Sequence, residues 1–232
     1  MADEKELSQP EYRYERKFFI EGVNAKQAIS LVKLHPAMFR EIYPPRAINN
    51  LYLDSPWMDD YFDNVGGVCD RRKNRVRWYH ALFREVEDAM LEFKVKRGLV
   101  GTKHHHPFPK FTFDDRFSLP YFRDIIRISN LPLAVKDHLS GVGPVLLNRY
   151  LRWYFATPDR RFRVTVDTDL SFFHLNPFTN WFVNKQFDHE NIVLELKYRL
   201  DDDSKVDEIS AGFPFRVTRS SKYVQGIERV YL

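Results

Sequence analysis

The chain has 232 residues, of which 44% are hydrophobic and 16% aromatic, a composition that is typical of a folded protein and argues against disorder. Its 36 lysines and arginines against 32 aspartates and glutamates leave a net charge of +4, too small to indicate a nucleic-acid partner by itself. The single cysteine, Cys69, excludes an internal disulfide. This length suits one β-rich domain, and we expect residues 1–232 to form it.

The sequence also bears on the compartment. No apolar run approaches the roughly 20 residues that a membrane-spanning helix needs. The acidic opening MADEKELS lacks the pattern of a secretory signal. We therefore expect a cytoplasmic protein without membrane insertion, and the sequence leaves its oligomeric state open.

Short runs rich in aromatic and β-branched residues alternate apolar with ionic positions, a pattern that predicts half-buried strands. In chain order these runs cover residues 11–21, 46–54, 73–80, 90–97, 108–113, 149–156, 161–168, 191–199 and 214–219. Helical patterns cover residues 24–34, 118–129, 131–139 and 204–211. Because the helices are few and do not alternate with the strands, the sequence predicts an α+β fold with a mainly antiparallel sheet.

Parity divides the predicted strands into an apolar and an ionic face, because successive side chains point to opposite sides of a sheet. Between the ionic positions lie aromatic or aliphatic residues such as Val76 and Trp78. Five runs carry ionic faces, whose members are Arg13, Glu15 and Lys17; Arg75 and Arg77; Glu92, Lys94 and Lys96; Arg161, Arg163, Thr165 and Asp167; and Glu195, Lys197 and Arg199.

Two arrangements of these faces are open. They can face water on the outside of a sandwich, or the sheet can close with them inside. The excess of lysine and arginine over glutamate favours closure, since ordinary exposed strands carry short polar residues. Two ammonium groups about 6 Å apart repel by about 3 kcal/mol at an effective dielectric near 20. A cationic lumen therefore indicates an anionic ligand, and phosphate oxygens suit both arginine and lysine.

The order and spacing of eight short motifs resemble the VTC domain of the triphosphate tunnel metalloenzyme superfamily, a fold shared with CYTH-type triphosphatases. The motifs are RYERKF at 13–18, NLYLDSP at 50–56, RVRWY at 75–79, LEFK at 91–94, NRY at 148–150, RFRVTVD at 161–167, LELK at 194–197 and SSKY at 220–223. The resemblance implies a closed antiparallel eight-stranded β tunnel with an ionic lumen, flanked by a few helices. Its ligands would be a nucleoside triphosphate and polyphosphate or triphosphate.

Site residues are carried over from the resemblance where a motif matches. The catalytic, phosphate-binding residues that it implies are Lys17, Arg75, Arg77, Lys94, Arg149, Arg163, Lys197 and Lys222. Lys103, after the turn from Gly98 to Gly101, is a further expected phosphate-binding residue. The resemblance also implies a divalent metal, Mn²⁺ or Mg²⁺, with Glu195 as the leading ligand and Glu15 and Glu92 as the other expected ligands.

The activity that the resemblance implies is that of a polyphosphate polymerase, which transfers the γ-phosphoryl group of ATP to polyphosphate and releases ADP. Two alternatives are an inorganic or nucleoside triphosphatase and a non-catalytic module that binds polyphosphate or another anion. Triphosphatases of the superfamily usually begin with Glu-x-Glu-x-Lys, and Arg13 stands at the first of those glutamates, which favours the polymerase. We expect no nucleic-acid partner, because the cations alternate on strand faces and form no base-stacking platform.

Two other features carry little chemistry. The run of histidines at 104–106 predicts a loop or a tunnel rim, because three adjacent histidines in an extended segment cannot all face one metal ion. Cys69 lies in a predicted hairpin loop without an evident partner. The sequence assigns neither feature a role.

Overall fold

The predicted α+β fold is confirmed. A computed structural model of the chain describes residues 13–97, 100–178, 182 and 184–232. The strands are β1 (Arg13–Ile20), β2 (Arg40–Asp54), β3 (Asp70–Tyr79), β4 (Arg84–Val86), β5 (Met90–Arg97), β6 (Val100–Pro107), β7 (Phe111–Phe113), β8 (Gly143–Ala156), β9 (Arg163–His174), β10 (Lys185–Asp188) and β11 (Ile192–Arg199). The helices are α1 (Ala25–Lys33), α2 (Asp59–Val65), α3 (Leu119–Ile128), α4 (Leu133–Ser140), α5 (Asp203–Ala211) and α6 (Lys222–Tyr231), with a 3-10 turn at Leu200–Asp202.

One large antiparallel sheet organises the molecule. Eight strands follow one another in the order β1-β11-β9-β8-β2-β3-β5-β6, and β10 pairs with β9. The sheet curls so far that Lys94 Nζ on β5 lies 3.4 Å from Glu15 Oε2 on β1, although these strands are far apart in the strand order. The inward faces of the eight strands therefore surround a lumen, in agreement with the predicted tunnel.

The outer face of the sheet is apolar and is covered by helices. One cluster packs Phe122 of α3 and Leu139 of α4 with Trp78 of β3, together with the small sheet formed by β4 and β7. Another cluster packs Val32 of α1 with Phe18 of β1. The ionic faces consequently point into the lumen, so the sandwich alternative is wrong.

Local capping signals explain why two helix predictions agree closely with the structure. The Asn24 side chain accepts a hydrogen bond from the Gln27 backbone N–H at 3.0 Å, and the Gln27 side chain accepts one from the Asn24 N–H at 2.8 Å, a capping box at the start of α1. Ser118 caps α3, with Pro120 in the first turn. Among the described residues, no helix is long and apolar enough to cross a membrane.

Helix α6 fills one end of the lumen. Tyr223 and Ile227 of α6 pack with Leu146 of β8 and Phe172 of β9, which belong to the inward face. A Cβ on Gly226 would lie 2.5 Å from Leu146 Cδ2 and 2.6 Å from Phe172 Cδ1, so the helix approaches the strands at a distance that only glycine permits. The first turn of α6 is thereby held against the charged part of the lumen.

Several sequence predictions need correction. The elements α2, β4, β6, β10 and α6 were not predicted, and β2 and β8 begin well before residues 46 and 149. The predicted strand at 214–219 is wrong, because in the described chain this stretch contributes one isolated bridge, between Val217 and Phe18. Residues 11 and 12 of the first predicted strand lie outside the described residues. The sequence does not predict α6, because its glycine and β-branched residues have low helix propensity. In the folded protein, tertiary packing of the helix outweighs that low propensity.

Candidate active site in the tunnel lumen

Most of the predicted site residues share the parity that faces the lumen. They converge from five strands and one helix, and ion pairs between strands bring them into contact. The members are Glu15 and Lys17 of β1, Arg75 and Arg77 of β3, Glu92 and Lys94 of β5, Lys103 of β6, Glu195 and Lys197 of β11, and Lys222 of α6.

Two buried carboxylates, Asp167 on β9 and Glu195 on β11, hold the deepest cluster of charge. Arg152 of β8 donates to both oxygens of Asp167, at 2.5 and 2.7 Å, and its Nη2 lies 3.3 Å from Glu195 Oε2. Lys222 Nζ lies 2.6 Å from Asp167 Oδ2 and 3.6 Å from Glu195 Oε1. The two cations are therefore shared between the two carboxylates.

Lysines of the tunnel wall complete the surroundings of Glu195. Lys17 Nζ lies 3.5 Å from Glu195 Oε1, and Lys197 Nζ lies 3.0 Å from Oε2. Burial by itself raises the pKa of Glu195, but the surrounding cations, Lys197 foremost, hold that pKa well below its ordinary value. Burial likewise opposes ionisation of Asp167, and Arg152 and Lys222 lower its pKa in spite of it. Both groups are carboxylates at neutral pH.

A second cluster surrounds Glu92. Arg75 Nε donates to Glu92 Oε2 at 2.6 Å, and Lys103 Nζ donates to Oε1 at 2.8 Å. Arg77 Nη1 lies 3.6 Å from the same Oε1. Burial raises the pKa of Glu92, but the charges of Arg75 and Arg77 bring it well below its ordinary value. Burial lowers the pKa of Lys103 to about 8, because the attraction of Glu92 offsets burial and the nearby arginines only in part.

Tyr150 of β8 lies between the two clusters. Its hydroxyl accepts a hydrogen bond from Arg77 Nη2 at 3.4 Å. Lys222 Nζ lies 5.0 Å from the ring centroid and Arg152 Cζ lies 5.3 Å from it, both within cation–π range. Burial raises the pKa of the Tyr150 hydroxyl, yet the charges of Arg152 and Arg77 lower it overall. Tyr150 therefore contacts cations of both clusters, Arg152 and Lys222 through its ring and Arg77 through its hydroxyl.

The sequence predictions did not assign Arg152, Asp167, Tyr150 or Lys73 to the site. A signal was available for Arg152, because it shares parity with Tyr150 and alternates with Leu151 and Trp153.

Lys73 shares parity with Arg75, but it is the first residue of the predicted run, whereas β3 begins at Asp70. Asp167 was placed on an ionic face and was not given a role.

One predicted phosphate ligand lies outside the lumen. The structure places Arg149 on the outer face of β8, where its Nη1 donates to Asn49 Oδ1 at 2.6 Å and to the His80 carbonyl at 2.9 Å. The physical reason is the alternation of β8, which puts Tyr150 and Arg152 inside and Arg149 outside. Arg163, by contrast, shares the parity of Thr165 and Asp167 and pairs with Lys197 in the strand register, so it lies on the lumen face of β9. It is exposed there and lines with Lys197 a cavity of about 340 Å³.

The three predicted metal ligands are not gathered into one cluster. Among the described residues, no group of three or more His, Cys, Asp or Glu side chains is arranged to hold a metal ion. Glu15 and Glu195 come nearest to sharing a site, since Lys17 Nζ lies 3.9 Å from Glu15 Oε1 and 3.5 Å from Glu195 Oε1. Glu92 is held in its own cluster with Arg75 and Lys103. The side chain of Arg13 lies outside the described residues.

The three histidines lie in strand β6, so the predicted loop is wrong. His104, His105 and His106 continue the ladder with Phe93, Glu92 and Leu91 of β5. His105 Nδ1 lies 3.7 Å from Glu92 Oε1, while His104 and His106 line a groove beside α4 on the outer face. Alternation thus separates the three rings. Cys69 is exposed immediately before β3.

Known proteins resemble the chain at the level of family and fold. The sequence model of the family described as the VTC domain matches residues 12–231. An adenylate cyclase candidate from Vibrio parahaemolyticus is 12% identical, with 94% of this chain and 99% of that chain covered and a TM-score of 0.49. An adenylyl cyclase candidate from Hippeastrum, described as having a dominant triphosphatase activity, is 13% identical with 94% and 98% covered and a TM-score of 0.48.

A protein from Pyrococcus horikoshii is 13% identical, with 93% of this chain and 96% of that chain covered and a TM-score of 0.46. At these identities and TM-scores, the three solved structures carry no conclusion about the activity of this chain. No curated protein matches the sequence.

Proposed function

This chain belongs to the VTC domain family, and on that basis we propose that it is a polyphosphate polymerase-like phosphotransferase that depends on a divalent metal. Membership indicates a tunnel that handles phosphoryl groups. The finer proposal is that the γ-phosphoryl group of ATP is added to polyphosphate and that ADP is released. Strands from Arg13 to Arg199 belong to one large sheet, and this continuity supports the proposal that residues 1–232 form a single domain.

The excess of cations in the lumen supports a polyanionic ligand. Lysines and arginines of β1, β3, β5, β6, β8, β11 and α6 converge on four carboxylates of the described lumen, those of Glu15, Glu92, Asp167 and Glu195. Each carboxylate is already shared by two or more cations, so protein charge does not balance the site. A chain of phosphates supplies the missing negative charge along the axis of the tunnel.

The chemistry demands little from side chains beyond position and charge. A bond forms between a terminal phosphate oxygen of polyphosphate and the γ-phosphorus of ATP, while the bond from that phosphorus to the β–γ bridging oxygen breaks. No proton has to be removed from the attacking oxygen, because it is an ionised phosphate oxygen. Arg75, Arg77 and Arg152 would orient the phosphates and neutralise the charge on the peripheral oxygens as the transition state forms.

A divalent metal fits this site only in part. Mg²⁺ commonly binds through one or two carboxylates together with substrate phosphates, and Glu15 and Glu195 on either side of Lys17 offer such a pair. Glu92 fits less well, since Arg75 and Lys103 occupy both of its oxygens. We propose Mn²⁺ or Mg²⁺ held by Glu195 with Glu15; when bound it would neutralise phosphate charge.

The test is an incubation of the purified protein with ATP, a polyphosphate primer and Mn²⁺ or Mg²⁺, with products resolved by gel and by phosphorus resonance. We expect chain growth with ADP release, lost in Lys17→Ala, Arg75→Ala and Glu195→Ala. The matched control is Arg149→Ala, whose side chain lies on the outer face and should leave turnover intact.

Two other outcomes decide the alternatives. Orthophosphate without polymer would identify a triphosphatase. A melting temperature raised by polyphosphate, with no turnover under any condition, would identify a non-catalytic binding module and overturn the proposed enzyme.

A further inference from the structure

Lys73 of β3 differs from the other lysines of the lumen. It shares parity with Arg75 and pairs with Lys94 of β5 in the register. Within the described part of the chain, no carboxylate lies within ion-pair distance of its Nζ. The lumen lysines that do have a carboxylate partner are Lys17, Lys94, Lys103, Lys197 and Lys222.

The contact that Lys73 does make is with the first turn of α6. Its Nζ donates to Ser221 Oγ at 2.8 Å, and the same oxygen accepts the Val224 backbone N–H at 3.4 Å as the N-cap of the helix. Lys17 Nζ donates to the neighbouring Ser220 carbonyl at 3.2 Å. The N-terminus of a helix carries partial positive charge, so this contact does not compensate the ammonium group.

The charged groups around Lys73 are mostly cations. They are Lys17 on β1, Lys94 on β5 and Arg71 and Arg75 on β3 itself. Glu15 of β1 is engaged by Lys17 and Lys94. On β2, Asp54 follows Leu53, which pairs with Asn74 in the register, so Asp54 lies beside Lys73. Its carboxylate is already bound by other donors, because it accepts hydrogen bonds from the backbone N–H groups of Asp60 and Tyr61 and from the hydroxyl of Tyr223.

Burial and these cations lower the pKa of Lys73 to about 7 from an ordinary value of 10.5. The side chain is therefore partly deprotonated at neutral pH in the free protein. A phosphate oxygen beside Nζ would supply the counter-charge that the described lumen lacks at this point, and it would restore the ammonium form.

We propose that Lys73 is a further phosphate-binding residue of the lumen and that it takes up one proton from solvent when the polyanion binds. This inference rests on the proposed function, since it requires phosphate in the tunnel. The balance is simple: a solvent proton is bound by the amine of Lys73, and no other bond is made or broken. Proton uptake makes polyanion affinity fall as pH rises, by up to about tenfold per pH unit above pH 7.

Two substitutions separate the charge of Lys73 from its titration. Lys73→Arg keeps a permanent cation, because a guanidinium does not lose its proton in this range. It should bind the polyanion without the proton uptake. Lys73→Met removes both the charge and the titration, so it should bind more weakly and also without that uptake. Lys26→Met, on the exposed face of α1, is the matched control.

The experiment is calorimetric titration of the full chain with inorganic tripolyphosphate at pH 7.5, in two buffers of different ionisation enthalpy. We expect the wild-type protein and Lys26→Met to take up roughly 0.5 to 0.8 proton more than either Lys73 variant, since a group of pKa about 7 is about three-quarters deprotonated at this pH. Proton changes on the ligand are common to all variants and cancel in the difference.

The outcomes are distinct for the two proposals. Equal proton uptake in the wild-type protein and both Lys73 variants, with binding retained, would overturn the role of Lys73 and assign the uptake to other groups such as Lys103 or His105. Absence of any tripolyphosphate binding by the wild-type protein would overturn the proposed function itself. Circular dichroism of each variant confirms that a lost signal does not reflect unfolding.

Discussion

Lys222 Nζ, in the first turn of α6, lies 2.6 Å from Asp167 Oδ2 on β9. Both residues are buried, with 8% of Lys222 and none of Asp167 exposed. Burial alone lowers the pKa of Lys222, but Asp167 and Glu195 raise it above the ordinary lysine value. This pair fixes the end of a helix against the wall of the tunnel, so it couples the stability of the fold to the charge of the site.

Removing that lysine should destabilise the protein. In Lys222→Met, Asp167 keeps Arg152 but loses its second cation, and breaking a buried pair from one side costs about 3 kcal/mol. Urea unfolding measures the loss. Lys26→Met, on the exposed face of α1, should be neutral, and equal midpoints for the two variants would contradict the structural role of the pair.

Two arginines of the same strand should behave differently. Arg152 faces the lumen, whereas Arg149 faces outward. Loss of charge-assisted hydrogen bonds is worth about 1.5–3 kcal/mol, so kcat/KM should fall roughly tenfold to a hundredfold in Arg152→Leu, with Arg149→Leu close to wild type. Arg152→Lys retains the charge but not the bidentate fork and should be intermediate. Steady-state kinetics with ATP as substrate measures these values. Equal losses of kcat/KM in Arg152→Leu and Arg149→Leu would contradict the assignment of the two side chains to opposite faces.

The stability of α2 should depend on pH through Asp60. Burial, with the nearby charge of Asp54, raises the pKa of Asp60 to about 7. Its folded pKa lies above the unfolded value, so its contribution to stability is complete at acid pH and is lost as pH rises through about 7. Asp60→Asn should therefore raise the melting temperature at pH 8 and reduce the difference between pH 5 and pH 8. Thermal melts check this, and Asp115→Asn, an exposed position, should leave that difference unchanged.

The close packing of α6 predicts a contrast between two glycines. In Gly226→Ala the new Cβ meets Leu146 and Phe172 at 2.5 and 2.6 Å, so we expect a loss of about 1–3 kcal/mol from overpacking, in spite of the better helix propensity of alanine. In Gly141→Ala the nearest atom, the His138 carbonyl oxygen, lies 3.8 Å away, an ordinary contact. Denaturant unfolding measures the difference. Equal shifts of the midpoint in Gly226→Ala and Gly141→Ala would contradict the close contact of Gly226 with Leu146 and Phe172.

Strand parity carried most of what the sequence could predict about the site. The alternation around Arg77 and Glu195 is clear because each has buried apolar neighbours on both sides. Parity gave the wrong assignment where the predicted run was shorter than the strand, or where both faces of the run combined aromatic and charged residues. Arg149 and Arg152 lie in one run rich in aromatic residues. The NRY motif at 148–150 contains Arg149, but it is Arg152 that faces the lumen.

The antiparallel sheet, its ionic faces and the family follow from the sequence, because alternation and the order of the motifs can be read along the chain without knowledge of its long-range contacts. Tertiary structure alone decided that these faces meet in one lumen, that α6 fills its end, and that Lys73 is left without a carboxylate among the described residues. These relationships join residues as far apart as Lys73 and Ser221, and the packing that creates them leaves no periodic trace in the sequence.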